Sequence, residues 1–449
     1  MKYKSTRGGV SGVSFSDSLL MGLAPDGGLL VPESIPSVQA NLETWRDADF
    51  VTLAQAVIGL FVDDIETDTL NQIIAEAYAT FDHPDVVGMA ELGNTTIVEL
   101  FHGPTLAFKD VALQLLGRLF EHVLAQRNQH LNILGATSGD TGSAAIAGVR
   151  GQENVDIYIL YPNNKVSPLQ ELQMTTVPDD NVHCIAVDGS FDDCQTLMKT
   201  VFGDVTFKEQ HQLGAINSVN WARVMAQIVY YGYASLRQSS GMANFCVPTG
   251  NFGNVFAAYL AKAMGFPIGQ LLVATNSNDI LARFFDSGEY TRGDVHYTLS
   301  PAMDIQIASN FERYLYFYLQ QDSQALTDFM QSFHASGSAK LDSAPGDHTF
   351  RAAAVDNSGT LAAIKQAYEQ FNYVLDPHTA VGYAASRNWQ VDNLTLIATA
   401  HPAKFPDAIE QAIGVRPTHP TLATLADLPQ RKQHIPASLD AVQAIFSKA

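Results

Sequence analysis

LNILGATSGDTGSAAIAGVR, residues 131–150, starts as a short apolar run, passes through a turn of glycines and hydroxyl residues, and continues as a small-residue helical pattern. That order is the signature of a strand feeding a helix, and the chain repeats it. VDIYILYP is followed by SPLQELQM, and NVHCIAV by CQTLMKTVF. Further on, ANFCVPTG is followed by NVFAAYLAKAMG, QLLVATN by DILARFF, and a last apolar run reads LTLIATAHP. Alternation of this kind predicts an α/β fold with parallel sheets. In open sheets of that class, ligands sit beyond the carboxyl ends of the strands, so the strand-to-helix turns are where chemistry belongs.

Around this alternating part, residues 1 to about 90 combine a turn-rich stretch, APDGGLLVPESIP, with helical patterns such as FVTLAQAVIGLF and TLNQIIAEAYATF. They read as a small, mostly helical lead-in domain. Residues of roughly 280 to 370 contain polar loops and an aromatic helical segment, SNFERYLYFYL, which the pattern alone does not place. The proline-containing tail from about 415 is expected to pack across the surface.

Composition narrows the class. The chain has 449 residues, 46% hydrophobic and 16% charged, enough for a large core and two or three domains. Its 26 basic and 46 acidic residues give a net charge of -20, which disfavours nucleic acid or an anionic membrane as a partner. Any anion must be captured locally. No continuous apolar h-region opens the chain and no run is long enough to span a bilayer, so the cytoplasm is expected. Cys184, Cys194 and Cys246 lack C-x-x-C spacing and are expected to be reduced, and the scattered His102, His378 and His401 suggest no metal site.

HGPTLAFKD, residues 102–110, poses a local problem. After Lys109, the apolar residues Val111, Ala112, Leu115, Leu116, Leu119, Phe120, Val123 and Leu124 mark a helix to about Arg127, so Lys109 lies in its first turn. The positive end of a helix suits Asp110 but not an ammonium group. Lys109 is therefore either a surface lysine lying along the helix or an amine held neutral or as an imine.

Four turns bear on that choice. In VPTGNFGNVFAAYL, Gly250, Asn251, Phe252, Gly253 and Asn254 can turn backbone N–H groups onto a phosphate at a helix start, without Walker or dinucleotide spacing. The GATSGDTGS turn offers Thr137, Ser138 and Thr141 to a carboxylate. In NSVNWARVMAQ, Asn217, Ser218 and Arg223 could meet a phosphate or carboxylate. In LIATAHPAKF, a strand ends in Thr399, whose hydroxyl can reach a heterocyclic nitrogen. DTGS at Asp140 and FDSG at Asp286 look like the paired motifs of pepsin-like aspartic proteases, but those are all-β and Ala144 to Val149 reads as helix. A reactive lysine, a phosphate cradle and a carboxylate loop together are what a pyridoxal phosphate enzyme needs.

With these segments in place the sequence resembles the threonine synthase family along most of its length. STRGG, GLAPDGGLLVPE, HGPTLAFKD, GATSGDTGSAA, YPNNKVSPLQELQM, NSVNWARVMAQ, PTGNFGN and TAHPAKFPDAI carry the likeness in the family's order. The resemblance implies a fold-type-II, tryptophan synthase β-like enzyme whose pyridoxal 5'-phosphate is held as an imine on Lys109. It implies three parts: an N-terminal domain at 1–92, a large cofactor domain at 93–130 and 220–449, and a small substrate-closing domain at 131–219. Residues 250–254 would cradle the cofactor phosphate, Thr399 would face the pyridine nitrogen, and Asp140 would neighbour the cofactor. Thr137, Ser138 and Thr141 would hold the substrate carboxylate. Asn217, Ser218 and Arg223, with Lys165 as helper, would hold the substrate phosphate. The implied reaction is that of a carbon–oxygen lyase acting on phosphates, converting O-phospho-L-homoserine and water to L-threonine and phosphate in a monomer or homodimer. An O-phosphohomoserine phospho-lyase or a serine/threonine dehydratase on the same scaffold is the alternative.

Overall fold

The computed structural model describes residues 1–137, 139–345 and 348–446. The chain folds into two compact units: residues 1–75, 81–102 and 218–417 form the first, and 76–80, 103–217 and the tail from 418 form the second.

The first unit is built on a six-stranded sheet in the order Phe350–Ala354, Ile268–Thr275, Ala243–Pro248, Leu394–Ala398, Thr95–Glu99 and Gly88–Leu92. Its strands are parallel except at the last pairing, where Gly88–Leu92 runs antiparallel to Thr95–Glu99. Parallel strands need both faces covered, which is why these segments read as near-continuous apolar runs. Ile97, Cys246, Leu272 and Leu396 pack from the sheet against Ile364, Ala380 and Val381 of the helices. Ala243–Pro248 and Leu394–Ala398 are hydrogen-bonded neighbours, so the turns leaving their carboxyl ends, at Thr249 and at Thr399, start side by side.

The N-terminal residues join this unit instead of standing apart. The Tyr3 ring packs 6.0 Å from that of Trp221, and the Asn220 side chain donates to the Leu19 carbonyl at 2.9 Å. The Arg7 guanidinium grips Glu312 with two bonds of 3.1 and 2.8 Å, and the Thr6 hydroxyl adds a third at 2.7 Å. The STRGG signature is thus an internal clamp.

The second unit carries a five-stranded parallel sheet in the order Gln433–Pro436, Val182–Asp188, Val155–Pro162, Leu131–Ala136 and Leu213–Gly214. One placement differs from expectation. The Lys109–Arg127 helix belongs here, because Gly117 and Gly148 let it approach the Asp140–Val149 helix: a Cβ on Gly117 would lie 1.9 Å from the Gly148 carbonyl oxygen. The tail runs mostly exposed over the surface, as expected, and its end also joins the sheet and the core. Gln433–Pro436 adds an edge strand beside Val182–Asp188, and Val442 and Phe446 enter the core with Leu160 and Ile185. Compactness therefore divides the chain at other points than the three-part division that the family resemblance implies.

Candidate active site

In the second unit, the turn before the lysine helix is held by that helix's own aspartate. Asp110 accepts from the Thr105 amide at 2.8 Å and the Thr105 hydroxyl at 2.6 Å. Leu106 takes a left-handed backbone at φ 60, and Lys109 follows as the first helical residue. Lys109 is 8% exposed, its Nζ lying 5.0 Å from the Phe108 ring centroid and 3.7 Å from Asp140 Oδ2. Asp140, also 8% exposed, accepts at Oδ1 from the Gln170 side-chain amide at 2.9 Å. A carboxylate at that range sets an opposing charge beside the amine. Asp140 is thus the partner that the local sequence around Lys109 does not reveal.

The turn following Leu131–Ala136 is braced from within. Thr137 Oγ1 accepts from the Gly139 and Gly142 amides at 3.0 and 2.9 Å, so this hydroxyl shapes the loop. Thr141 is partly exposed at the start of the next helix, whereas Ser138 lies outside the described residues. Asn217 is half-buried and Lys165 is exposed.

In the first unit, the Gly253–Met264 helix opens with no side-chain cap on its amides, as an anion-receiving helix would. A Cβ on Gly250 would fall 2.7 Å from the Ala302 carbonyl oxygen, so only glycine fits. Phe252 sits at φ 66, an uncommon conformation for a bulky residue. Its ring is buried against Phe311 at 5.4 Å and Phe350 at 5.8 Å, which holds the strained backbone. Phe252 therefore serves the turn through its main chain. Asn254 Oδ1 accepts from the hydroxyls of Tyr230 at 2.5 Å and Tyr231 at 2.6 Å, while its buried Nδ2 has no protein partner among the described residues.

Two more buried groups await partners. Thr399 Oγ1 has none among the described residues, although the Thr399 amide donates to Thr379 Oγ1 at 3.1 Å and Thr379 in turn bonds to Asp376. Arg223 is 5% exposed, with Nε and one terminal nitrogen unpaired among the described residues, and burial pushes its guanidinium down to about 10. It stays charged at neutral pH, an arrangement that calls for an incoming anion.

Residues 2–78 match the model of the threonine synthase N terminus, 379–446 that of the threonine synthase C-terminal region, and 96–394 that of pyridoxal-phosphate-dependent enzymes. A threonine synthase of Pseudomonas aeruginosa is 46% identical, with 100% of this chain and 98% of that one covered. The chain belongs to the threonine synthase family. A threonine synthase of Schizosaccharomyces pombe is 45% identical over 92% of this chain and 90% of its own. Among solved structures, a pyridoxal phosphate-bound threonine synthase from Brucella melitensis superposes with a TM-score of 0.97 at 44% identity, covering 100% of this chain and 99% of that one. The yeast threonine synthase gives 0.94 at 39% identity, covering 100% and 98%.

The residues present fit the family's cofactor. The nearly buried amine of Lys109, the helix start behind Gly250 and the hydroxyl of Thr399, the last two without a side-chain partner among the described residues, are the three kinds of group that an aldehyde, a phosphate and a ring nitrogen require. What pattern reading of the sequence missed is the segment Ser309–Arg313. Asn310 and Arg313 lie three residues apart at a helix start, a spacing that puts them side by side, but only their partners reveal a role.

Proposed function

We propose that this enzyme converts O-phospho-L-homoserine and water to L-threonine and inorganic phosphate, in the cytoplasm. The observation that carries the phosphorylated substrate is Arg223, a buried guanidinium five residues beyond Ser218 with two nitrogens unpaired among the described residues. A dehydratase acting on serine or threonine has no phosphate to offer it.

In this reading Lys109 would hold pyridoxal 5'-phosphate, residues 250–254 would receive its phosphate, Thr399 Oγ1 would serve its ring nitrogen and Asp140 would neighbour it. The bound cofactor supplies an electron sink that acidifies protons on the α and β carbons of an amino acid. With its amine free, Lys109 Nζ would take the Cα proton, give it up, and then take a Cβ proton. Asp140, 3.7 Å from Nζ, would face the amine as it takes each proton. Ser218, Asn217 and Arg223, with Lys165 as an outlying helper, orient the phosphate that departs from Cγ. Thr141 and Ser138 hold the substrate carboxylate in a loop that Thr137 braces. Lys109 returns protons to Cγ and finally Cα, while water places a hydroxyl on Cβ, so phosphate is lost and water gained.

The test is phosphate release from O-phosphohomoserine, with threonine and 2-oxobutyrate measured in parallel. Threonine equal to phosphate is expected. Ketoacid and ammonia without threonine would overturn the proposal in favour of the phospho-lyase.

A further inference from the structure

Beside the turn at Asn251 and the turn at Ser218 lies a third segment, Ser309–Arg313, which takes no part in the chemistry or binding assigned so far. Asn310 is fully buried. Its Nδ2 donates to the Ser218 carbonyl at 3.0 Å and the Asn251 carbonyl at 3.2 Å, and its own amide donates again to Asn251 O at 3.0 Å. Arg313, also fully buried, donates to Asn310 Oδ1 at 2.5 Å, to Val219 O at 2.6 Å and to Leu30 O at 3.1 and 2.9 Å. Main-chain carbonyls occupy this guanidinium where a carboxylate would be expected, since neighbouring Glu312 is taken by Arg7. Burial pushes Arg313 down to about 9. Keeping a charge in such a place is expensive, and the carbonyls it collects belong to the turn at 218–219 and, through Asn310, to the turn at 251.

Geometry around these contacts is consistent from both sides. Ser309 Oγ lies 2.8 Å from Ser218 Oγ and donates to Asn251 Oδ1 at 3.2 Å, tying the same two turns through side chains. A Cβ on Gly253 would lie 3.1 Å from Asn310 Nδ2 and 3.9 Å from Ser218 O, so little slack separates the turns. Phe311 supports the ring of Phe252 at 5.4 Å. Because a peptide unit is planar, drawing the carbonyls of Ser218 and Asn251 towards Asn310 directs the following amides to the opposite side.

We propose that Asn310, locked by Arg313, is a positioning residue that binds the cofactor-phosphate turn at Asn251 and the substrate-phosphate turn at Ser218 into one rigid element. The inference rests on the proposed function for the substrate turn, and on the family for the cofactor turn. It predicts that the two affinities fall together when the bridge is cut.

Asn310→Asp keeps an acceptor for Arg313 but loses both side-chain donor bonds to the carbonyls; Ser309→Ala removes only the half-buried hydroxyl bridge. Pyridoxal phosphate affinity is read by titrating the visible absorbance, KM and kcat with O-phosphohomoserine, and folding by thermal melting of the holoprotein. For Asn310→Asp, the cofactor Kd and KM are both expected to rise about tenfold or more, with kcat within about threefold of wild type. For Ser309→Ala the expected rise is about threefold to tenfold in KM, with inorganic phosphate inhibiting more weakly by a similar factor. Should Asn310→Asp fail to fold, the Ser309→Ala measurements decide. Unchanged cofactor affinity and KM in a folded Asn310→Asp, or unchanged KM and phosphate inhibition in Ser309→Ala, would overturn the inference. A wild-type protein making no threonine would instead sink the functional reading, and the cofactor titration of Asn310→Asp would still test the bridge.

Discussion

Lys109 Nζ and Asp140 Oδ2 stand 3.7 Å apart, each on the first residue of its own helix. The pairing answers why a cation starts the Lys109–Arg127 helix. A helix N-terminus repels it, and a second helix supplies the opposing carboxylate. Asp140 in turn is oriented by Gln170, so three segments of the second unit converge on the amine.

Capture of pyridoxal phosphate by Lys109 requires an uncharged amine. Asp140→Asn removes a carboxylate 3.7 Å from the amine, so the rate and extent of imine formation should differ from wild type. Stopped-flow absorbance over a series of pH values is the check. A profile identical to wild type would remove Asp140 from this role. Lys109→Ala should develop no such absorbance and lose threonine formation by about a thousandfold or more.

Thr399 Oγ1 is buried without a protein partner among the described residues, and a buried hydroxyl left unpaired costs about 1–3 kcal/mol. Thr399→Val, of similar shape, should therefore leave the apoprotein as stable as wild type or more so, while weakening pyridoxal phosphate by about tenfold. Melting of apo and holo forms, with and without cofactor, separates the two effects. A variant less stable in the apo form and unaltered in cofactor affinity would contradict this assignment.

Arg223 carries the penalty of a buried charge with unpaired donors, and burial holds its guanidinium down to about 10. The sign follows. A cation whose folded value lies below its unfolded value weakens the fold at all pH below the folded value, and the loss eases as pH rises through it. At neutral pH Arg223→Met should raise apoprotein stability. In wild type, inorganic phosphate at about 100 times its Kd should add about 2.7 kcal/mol, and the variant should lose that gain. KM for O-phosphohomoserine should rise about tenfold to a hundredfold. Phosphate stabilising both proteins equally would place the anion elsewhere.

At Gly250 the expected outcome is steric. A methyl group would press on the Ala302 carbonyl oxygen, which belongs to the backbone and cannot swing away. Gly250→Ala should weaken pyridoxal phosphate by at least about tenfold and cost about 1–3 kcal/mol of stability, measured by cofactor titration and denaturant unfolding. Wild-type cofactor affinity would mean that the cradle tolerates the shift.

Much of the frame is legible in local pattern. The apolar runs at 131–136, 155–162, 243–248 and 394–398 are strands, and the periodicity after Lys109 marks a helix that ends at Arg127. Strands buried on both faces and helices buried on one leave strong local signatures. The tail from 418 is different. Gln433–Pro436 is a mostly exposed edge strand whose partner, Val182–Asp188, lies about 250 residues earlier, so no local period announces it.

The candidate site divides in the same way. Residue types and order alone determined the lysine at a helix start, the glycine turn built for an anion, and the hydroxyl at the end of the Leu394–Ala398 strand, because each is a property of a few consecutive residues. Tertiary structure decided what those groups face: Asp140 beside Lys109, the burial of the Arg223 guanidinium and the Thr399 hydroxyl, and Asn310 reaching the carbonyls of Ser218 and Asn251. Partners drawn from distant segments, and the water excluded around them, exist only once the chain has closed, and it is these that set charge state and hydrogen-bond vacancy.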